Sequence, residues 1–182
     1  TEIYTLSLHD ALPIFLEDPQ QGKLHLNAYT GIPEQEAQKI EWLEHGVAVC
    51  GLVAQNCKPM VCENILNRDD PLTDLVKSYG IQAYCCHPLG IQDRLIGTWS
   101  FGRRSRPCFS QEEIDLMASV TNLVAVAMNR IETENQLRDS DSRFRMLAEL
   151  APLGIVISDE LENTLYANPR FTEIFGDRKS VV

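Results

Sequence analysis

The chain carries little basic charge and no long apolar run. Sixteen Lys and Arg stand against 26 Asp and Glu, for a net charge of −10. That excludes non-specific binding to nucleic acid or to an anionic membrane, because both need a positive surface. No uninterrupted apolar stretch reaches the ~18 residues of a transmembrane helix. No basic segment followed by an apolar one opens the chain as a signal peptide does. The six cysteines, Cys50, Cys57, Cys62, Cys85, Cys86 and Cys108, are too sparse for a disulfide scaffold and read as reduced thiols of a cytoplasmic protein. The motifs G-x-x-x-x-G-K-[ST], G-x-G-x-x-G and H-E-x-x-H are absent, so nothing points to nucleotide-phosphate or zinc-hydrolase chemistry. The expectation is a chain that is not an enzyme. It has no catalytic residue, no metal site and no assignable cofactor.

What is there is ordinary globular material. Hydrophobic residues make up 44% and charged residues 23% of 182 positions, enough for one domain plus a piece, or two small ones. The two ends read differently. Thr1–Ile14 (TEIYTLSLHDALPI) matches, residue for residue, the translation of a short-read sequencing adapter, and Asp177–Val182 (DRKSVV) matches the reverse complement of the same adapter. We therefore expect residues 1–14 and 177–182 to be adapter-derived, as in a fragment from environmental sequence, and fold reasoning to start at Phe15.

Between those ends the pattern alternates strands and helices. Lys23–Tyr29 alternates apolar and polar residues as a half-buried strand does. Glu34–His45 and Val47–Gln55 read as helices, Lys58–Asn64 as a strand, and Leu72–Ser78 as a helix stopped by Gly80. Ile81–Ile91 and Arg94–Arg103 are two strand runs joined at Gln92-Asp93, which is hairpin spacing. Ser110 and Glu113 form an S-x-x-E capping box. They open a helix whose apolar stripe runs Ile114, Met117, Val120, Leu123, Val124, Ala127 and Ile131. No Gly or Pro interrupts it before Pro152. A helix from Gln111 to Met146 would be ~54 Å long, against a radius of gyration of ~14 Å for a globule of its size. Its second half must therefore project. Leu137 and Phe144, one heptad apart, form a thin seam for a second copy, and a homodimer is expected. Beyond it, Gly154–Ser158 and Thr164–Ala167 read as short strands and Asn168-Pro169 opens a last helix. Two short strands rarely hold together alone in water, so this reads as the beginning of another domain.

A two-residue turn at Gln92-Asp93 fixes a register and hence two faces. Tyr84, Cys86, Pro88, Leu95, Trp99 and Phe101 would share one, suited to packing on the long helix. Cys85, His87, Leu89, Ile96, Thr98 and Ser100 would share the other, suited to a pocket with a few polar groups. Cys85, His87, Thr98 and Ser100 are the candidate ligand-binding residues, for a small molecule the sequence does not identify. Cys85-Cys86-His87 is a poor metal motif, because adjacent strand residues point to opposite faces. Arg103, Arg104 and Arg106 read as a solvated loop.

Several segments carry a resemblance. LHLNAYTG, GLVAQNCKPMVCENI, YGIQAYCCHPLGIQDRLIGTWSFGRR and SQEEIDLMASVTNLVAVAMNRI, within residues 15–131, resemble a GAF domain that lacks its first helix and most of its first strand. RFRMLAELAPLGIVISDELENTLYANPRFTEIFG resembles the opening of a PAS domain, with Asn168 at the family's Asn position. The resemblance implies an α+β fold: a GAF-like antiparallel sheet with helices, a signalling-helix linker over 132–145, and a truncated PAS start over 146–176. It implies a multidomain bacterial sensor, such as a two-component histidine kinase or a cyclic-dinucleotide enzyme, with its output domain downstream. No His is followed by Glu, and G-G-D-E-F and E-A-L are absent, so that output is not in this segment. By the same resemblance the ligand binds on the face away from the terminal helices. Two alternatives follow from relatives of the fold. A free methionine-R-sulfoxide reductase would use Cys50 and Cys62, but no Cys lies where its nucleophile belongs, between Pro71 and Tyr84. A bilin photoreceptor would need a Cys in Leu66–Tyr79, which has none.

Overall fold

The computed structural model describes residues 13–92 and 94–176. Residues 1–12 and 177–182, most of the adapter-like ends, lie outside the described residues, as does Asp93 of the hairpin turn. The chain divides into two units, one ending at Asn129 and one beginning at Arg130.

The first unit is built on a six-stranded antiparallel sheet. Its strands are β1 (Ile14–Asp18), β2 (Lys23–Ala28), β3 (Trp42–Leu43), β4 (Met60–Cys62), β5 (Ala83–Ile91) and β6 (Arg94–Arg103). They lie in the order β3-β2-β1-β6-β5-β4. The β1–β2 turn is set by Asp18, whose Oδ1 accepts from Gln20 N at 2.8 Å and Gln21 N at 3.1 Å. Gly22 then takes a left-handed φ of 62° that a side chain would disfavour. β1 sits between β2 and β6, pairing Phe15 with Leu26 on one side and with Thr98 on the other.

The expected helix at Glu34–His45 is shorter. Helix α1 (Glu34–Lys39) stops, and Trp42–Leu43 pairs with β2 instead, Leu43 opposite Leu24 and Trp42 opposite His25. A buried Leu24–Leu43 cross-strand pair outweighs the local helical pattern, and the Trp42 and His25 rings meet at 4.4 Å. Helices α2 (Ala48–Asn56) and α3 (Asp74–Ser78) follow as expected. With α1 they cover one face of the sheet, over a core of Phe15, Leu24, Val49, Val53, Ile65 and Ile81.

The opposite face is covered by α4 (Gln111–Leu150), whose capping box forms as read. Ser110 Oγ accepts from Glu113 N at 3.3 Å and Ser110 N donates to Glu113 Oε2 at 2.8 Å. Ile114 and Met117 pack there with Ala83, Cys85, Trp99, Phe101 and Phe109. The buried stripe differs from the one expected. It runs Met117, Thr121, Ala125, while Leu123 is 71% and Ile131 59% exposed. Thr121 Oγ1 on this buried stripe is satisfied by Met117 O at 2.7 Å. One stretch of α4, with mean hydropathy 1.2, is long and apolar enough by composition to cross a membrane. A buried core helix can meet the same criterion, but only 17% of this stretch is buried.

The hairpin forms between the expected strands, but in a different register. Ile91 pairs with Arg94 and Gly90 with Leu95, and then a bulge between Leu89 and Gly90 shifts the ladder by one residue. From there His87 pairs with Trp99, Cys86 with Ser100 and Cys85 with Phe101. A one-residue shift turns every later side chain of one strand to the other face. Cys86 and Trp99 therefore do not share a face, and the expected partition is overturned. Trp99 still packs on the α4 side, against Phe101 at 5.0 Å, but it is only partly buried. Trp99→Ala should accordingly cost less than the ~3–5 kcal/mol of a fully buried aromatic ring, as the shift in urea midpoint will show.

The second unit contains the C-terminal part of α4 with β7 (Val156–Ser158), β8 (Thr164–Ala167) and α5 (Pro169–Phe175). β7 and β8 pair antiparallel. Their turn is held by Asp159, whose carboxylate accepts from Leu161 N at 2.9 Å and Asn163 N at 2.8 Å. Asn168 is fully buried and caps α5 through Phe171 N at 2.9 Å. Its other contacts are with Ile155 N at 2.8 Å, Ala148 O at 2.6 Å and Leu153 O at 2.9 Å. Phe144 meets the Tyr166 ring edge-on at 5.6 Å.

Candidate functional site

The bulge divides the four candidate ligand residues between the two faces of the sheet. Cys85 and His87 face α4, whereas Thr98 and Ser100 face α2. They do not form one site.

On the α4 side, Cys85 Sγ lies 3.1 Å from His87 Nε2, with both residues buried. A thiol and an imidazole at this distance would be a nucleophile if the proton moved between them. Burial opposes that transfer from both ends. It pushes the Cys85 thiol up to about 12 and the His87 imidazole below its usual value. Both groups are neutral at pH 7, and the pair is a buried hydrogen bond without nucleophilic character.

On the α2 side the chemistry is different. Cys50 is the third residue of α2, in the turn where backbone N–H groups lack helical partners and favour negative charge. It is 5% exposed and stands over the hairpin. Its Sγ lies 3.2 Å from Tyr84 Oη and 3.2 Å from Ser100 Oγ. Cys86 shares that face of the hairpin, two residues beyond Tyr84 and directly opposite Ser100. The neighbouring Cys86 thiol is the largest influence on Cys50 and lowers it. Burial pushes the other way, but the Ser100 and Tyr84 hydroxyls add their hydrogen bonds and hold the Cys50 thiol down to about 7. Burial pushes the Cys86 thiol and the Tyr84 hydroxyl well up, so these remain protonated donors. On the same face, Cys62 pairs with Tyr84 across β4 and β5, half-buried, its thiol raised to about 11 by burial and by Asp70. Thr98 Oγ1 is buried there without a hydrogen-bond partner.

Beside this cluster is a cavity of about 30 Å³ lined by Phe15, Ile32, Leu43, Cys50, Tyr79 and Tyr84 among others. It lies on the face away from α4. It admits about one or two water-sized molecules and is far below the ~300 Å³ of a pocket for an organic ligand. Sequence reasoning reached Cys50 only through a family comparison. The signal that could have found it is its place in the first turn of a predicted helix, which favours a thiolate.

The three arginines at and after the end of β6 are engaged. Arg103 Nη1 reaches Glu113 Oε1 at 2.7 Å, and Arg106 pairs with the same carboxylate. Arg104 donates to Tyr79 O at 2.9 Å and Gly31 O at 2.8 Å. They lock α4 and the loop before α1 to the sheet rather than forming a solvated loop. Among the described residues no group of three or more His, Cys, Asp or Glu is placed to hold a metal ion.

Comparison with known proteins agrees with this architecture. No curated protein matches the chain. Solved structures do. A domain of a two-component sensor histidine kinase protein from Sinorhizobium meliloti 1021 aligns with TM-score 0.58 and 21% identity, covering 73% of this chain and 88% of that one. The GAF domain region of a membrane protein from Geobacter sulfurreducens PCA aligns with TM-score 0.57 and 20% identity, over 67% and 82%. A type II free methionine-R-sulfoxide reductase from Thermoplasma acidophilum aligns with TM-score 0.53 and 19% identity, over 65% and 77%. At these identities the likeness establishes the fold. The PAS domain profile matches residues 142–182. The GAF domain profile matches residues 5–128, more than half of the chain, and the chain belongs to the GAF domain family.

Proposed function

We propose that this chain is a sensing and relay segment of a bacterial signal-transduction protein, not an enzyme. A small molecule or a partner acts on the GAF domain, and α4 carries the change into the PAS segment and on to a downstream output domain. The reading places the chain in the cytoplasm as a parallel homodimer. One observation carries it. α4 is a single 40-residue helix, ~60 Å long, with two unlike sides. One stripe packs on the sheet. Another presents Leu116, Leu123, Leu137 and Phe144, which are 55%, 71%, 71% and 40% exposed. These four fall on one seven-residue repeat, with Arg130 at the missing step. Seven-residue spacing suits a left-handed coil with a second copy. A polar residue at one core position fixes register at some cost in stability.

Sedimentation of the 182-residue chain should show a dimer at micromolar concentration, with L123E or L137E shifting it to monomer. A clean monomer at high micromolar concentration would sink the dimer. The relay has its own test. One residue inserted after Gln136 should rotate everything downstream by ~100° and lock the output of the intact sensor on or off. Output that ignores the insertion would make α4 a passive tether.

A further inference from the structure

The cluster under α2 holds two buried thiols that the sensing role does not use. Cys50 and Cys86 come from different elements, and both adjoin Ser100, Cys50 through its hydroxyl at 3.2 Å and Cys86 as its cross-strand partner. Cys50 Sγ touches the hydroxyls of Tyr84 and Ser100, and Cys86 shares their face of the hairpin, two residues beyond Tyr84 and directly opposite Ser100. One sulfur is placed to carry the negative charge and the other to keep its proton. That is the asymmetry thiol oxidation needs, an attacking thiolate beside a resolving thiol. The adjoining cavity reaches Cys50, and its about 30 Å³ suits a molecule of two heavy atoms. Cys85 and Cys62 lack this arrangement. Cys85 is a protonated thiol on the other face, and Cys62 has no hydroxyl pair around it.

We propose that Cys50 and Cys86 form an oxidation site, converted by hydrogen peroxide into an intramolecular disulfide. The Cys50 thiolate attacks one peroxide oxygen. The O–O bond breaks, and the leaving hydroxide takes a proton and departs as water, giving a sulfenic acid on Cys50. The Cys86 sulfur then attacks the Cys50 sulfur. Its proton and the sulfenic hydroxyl leave as a second water, and the S–S bond forms. Two thiols and one peroxide become one disulfide and two waters. The bond draws Cys50 away from Tyr84 Oη and Ser100 Oγ and so disturbs the seat of α2. The site does not depend on the relay reading, and the oxidation assay tests it alone.

The experiment uses the whole chain with the exposed cysteines removed, as C57S/C108S. It is titrated with hydrogen peroxide, alkylated in denaturant and mapped by mass spectrometry. The expected result is loss of two free thiols per chain and a Cys50–Cys86 cross-linked peptide, abolished by C86A and kept in C62S. The oxidation rate should rise about tenfold from pH 6 to pH 8 and level off by pH 9, where a thiol of ordinary pKa would rise about a hundredfold over the first interval and keep rising. A Cys50–Cys62 bond would overturn the proposal. So would Cys50 oxidised while Cys86 stays alkylatable, or no thiol loss in the folded chain. The mapping is done on unsubstituted Cys50 and Cys86, so a poorly folding variant does not blunt it.

Discussion

Asn168→Ala should unfold the second unit and leave the first intact. The fully buried side chain makes four hydrogen bonds, accepting from Ile155 N and Phe171 N and donating to Ala148 O and Leu153 O. Truncation removes all four, and of the partners Phe171 N keeps a backbone bond to Asn168 O at 3.1 Å. At ~1 kcal/mol for each lost bond, and more where the partner stays buried, the loss is about 4 kcal/mol. That is comparable to the whole stability of so small a unit. Hydrogen exchange is the direct readout. Amides of Ile155 and Phe171 should exchange at near-unfolded rates in the variant, while those of β5 and β6 keep their protection. Unchanged protection at Ile155 would show that the carboxamide is dispensable. Asn168→Asp sharpens the point. It keeps the two acceptor contacts but sets a carboxylate against Ala148 O and Leu153 O. Burial and those carbonyls raise its pKa, so stability is present at low pH, where the acid is protonated and can donate, and is lost as pH rises through that pKa.

Gly97→Ala should be as damaging to the first unit. A Cβ at this position would lie 2.0 Å from Phe15 O and 2.9 Å from Leu16 Cα. Both are backbone atoms of the neighbouring strand and cannot swing aside. β1 would have to lift from β6, exposing Phe15, which is now 2% accessible. A cost of roughly 3 kcal/mol or more is expected, lowering the melting temperature by about 10 °C for a unit of this size. A melting temperature within a degree or two of the parent would mean that the two strands are not tightly apposed.

The hairpin, the capping box, the helix it opens and the domain order were all legible, because each rests on local pattern. Ser110-x-x-Glu113 closes its own hydrogen bonds, and two apolar runs separated by two residues can hardly avoid pairing. The misread faces came from one residue. Nothing in Leu89-Gly90-Ile91 announces a bulge except the glycine, and glycine has many other uses. Because strand faces alternate, that residue moved Cys85 and His87 to the face opposite Thr98 and Ser100 and split the candidate site. The short α1 failed for a second reason. Trp42–Leu43 is a strand only because β2 lies beside it, and a partner distant in sequence leaves no local signature. The reactive cysteine was hidden likewise. Cys50, Tyr84 and Ser100 come from three elements, and only the folded sheet brings them together.

The place of β1 in the middle of the sheet also sets the order in which the molecule can assemble. β1, β2 and β3 form one local ribbon and β4, β5 and β6 another, and the β1–β6 pairing joins them. Its partners Phe15 and Thr98 are about 80 residues apart, so the join closes a long loop, which is slow compared with hairpin zipping. On the ribosome, β1 emerges early and must wait, with Phe15 uncovered, until β6 has been synthesised. A chain held in that interval presents two unpaired sheet edges, and chaperone demand should fall on this step rather than on the formation of α4.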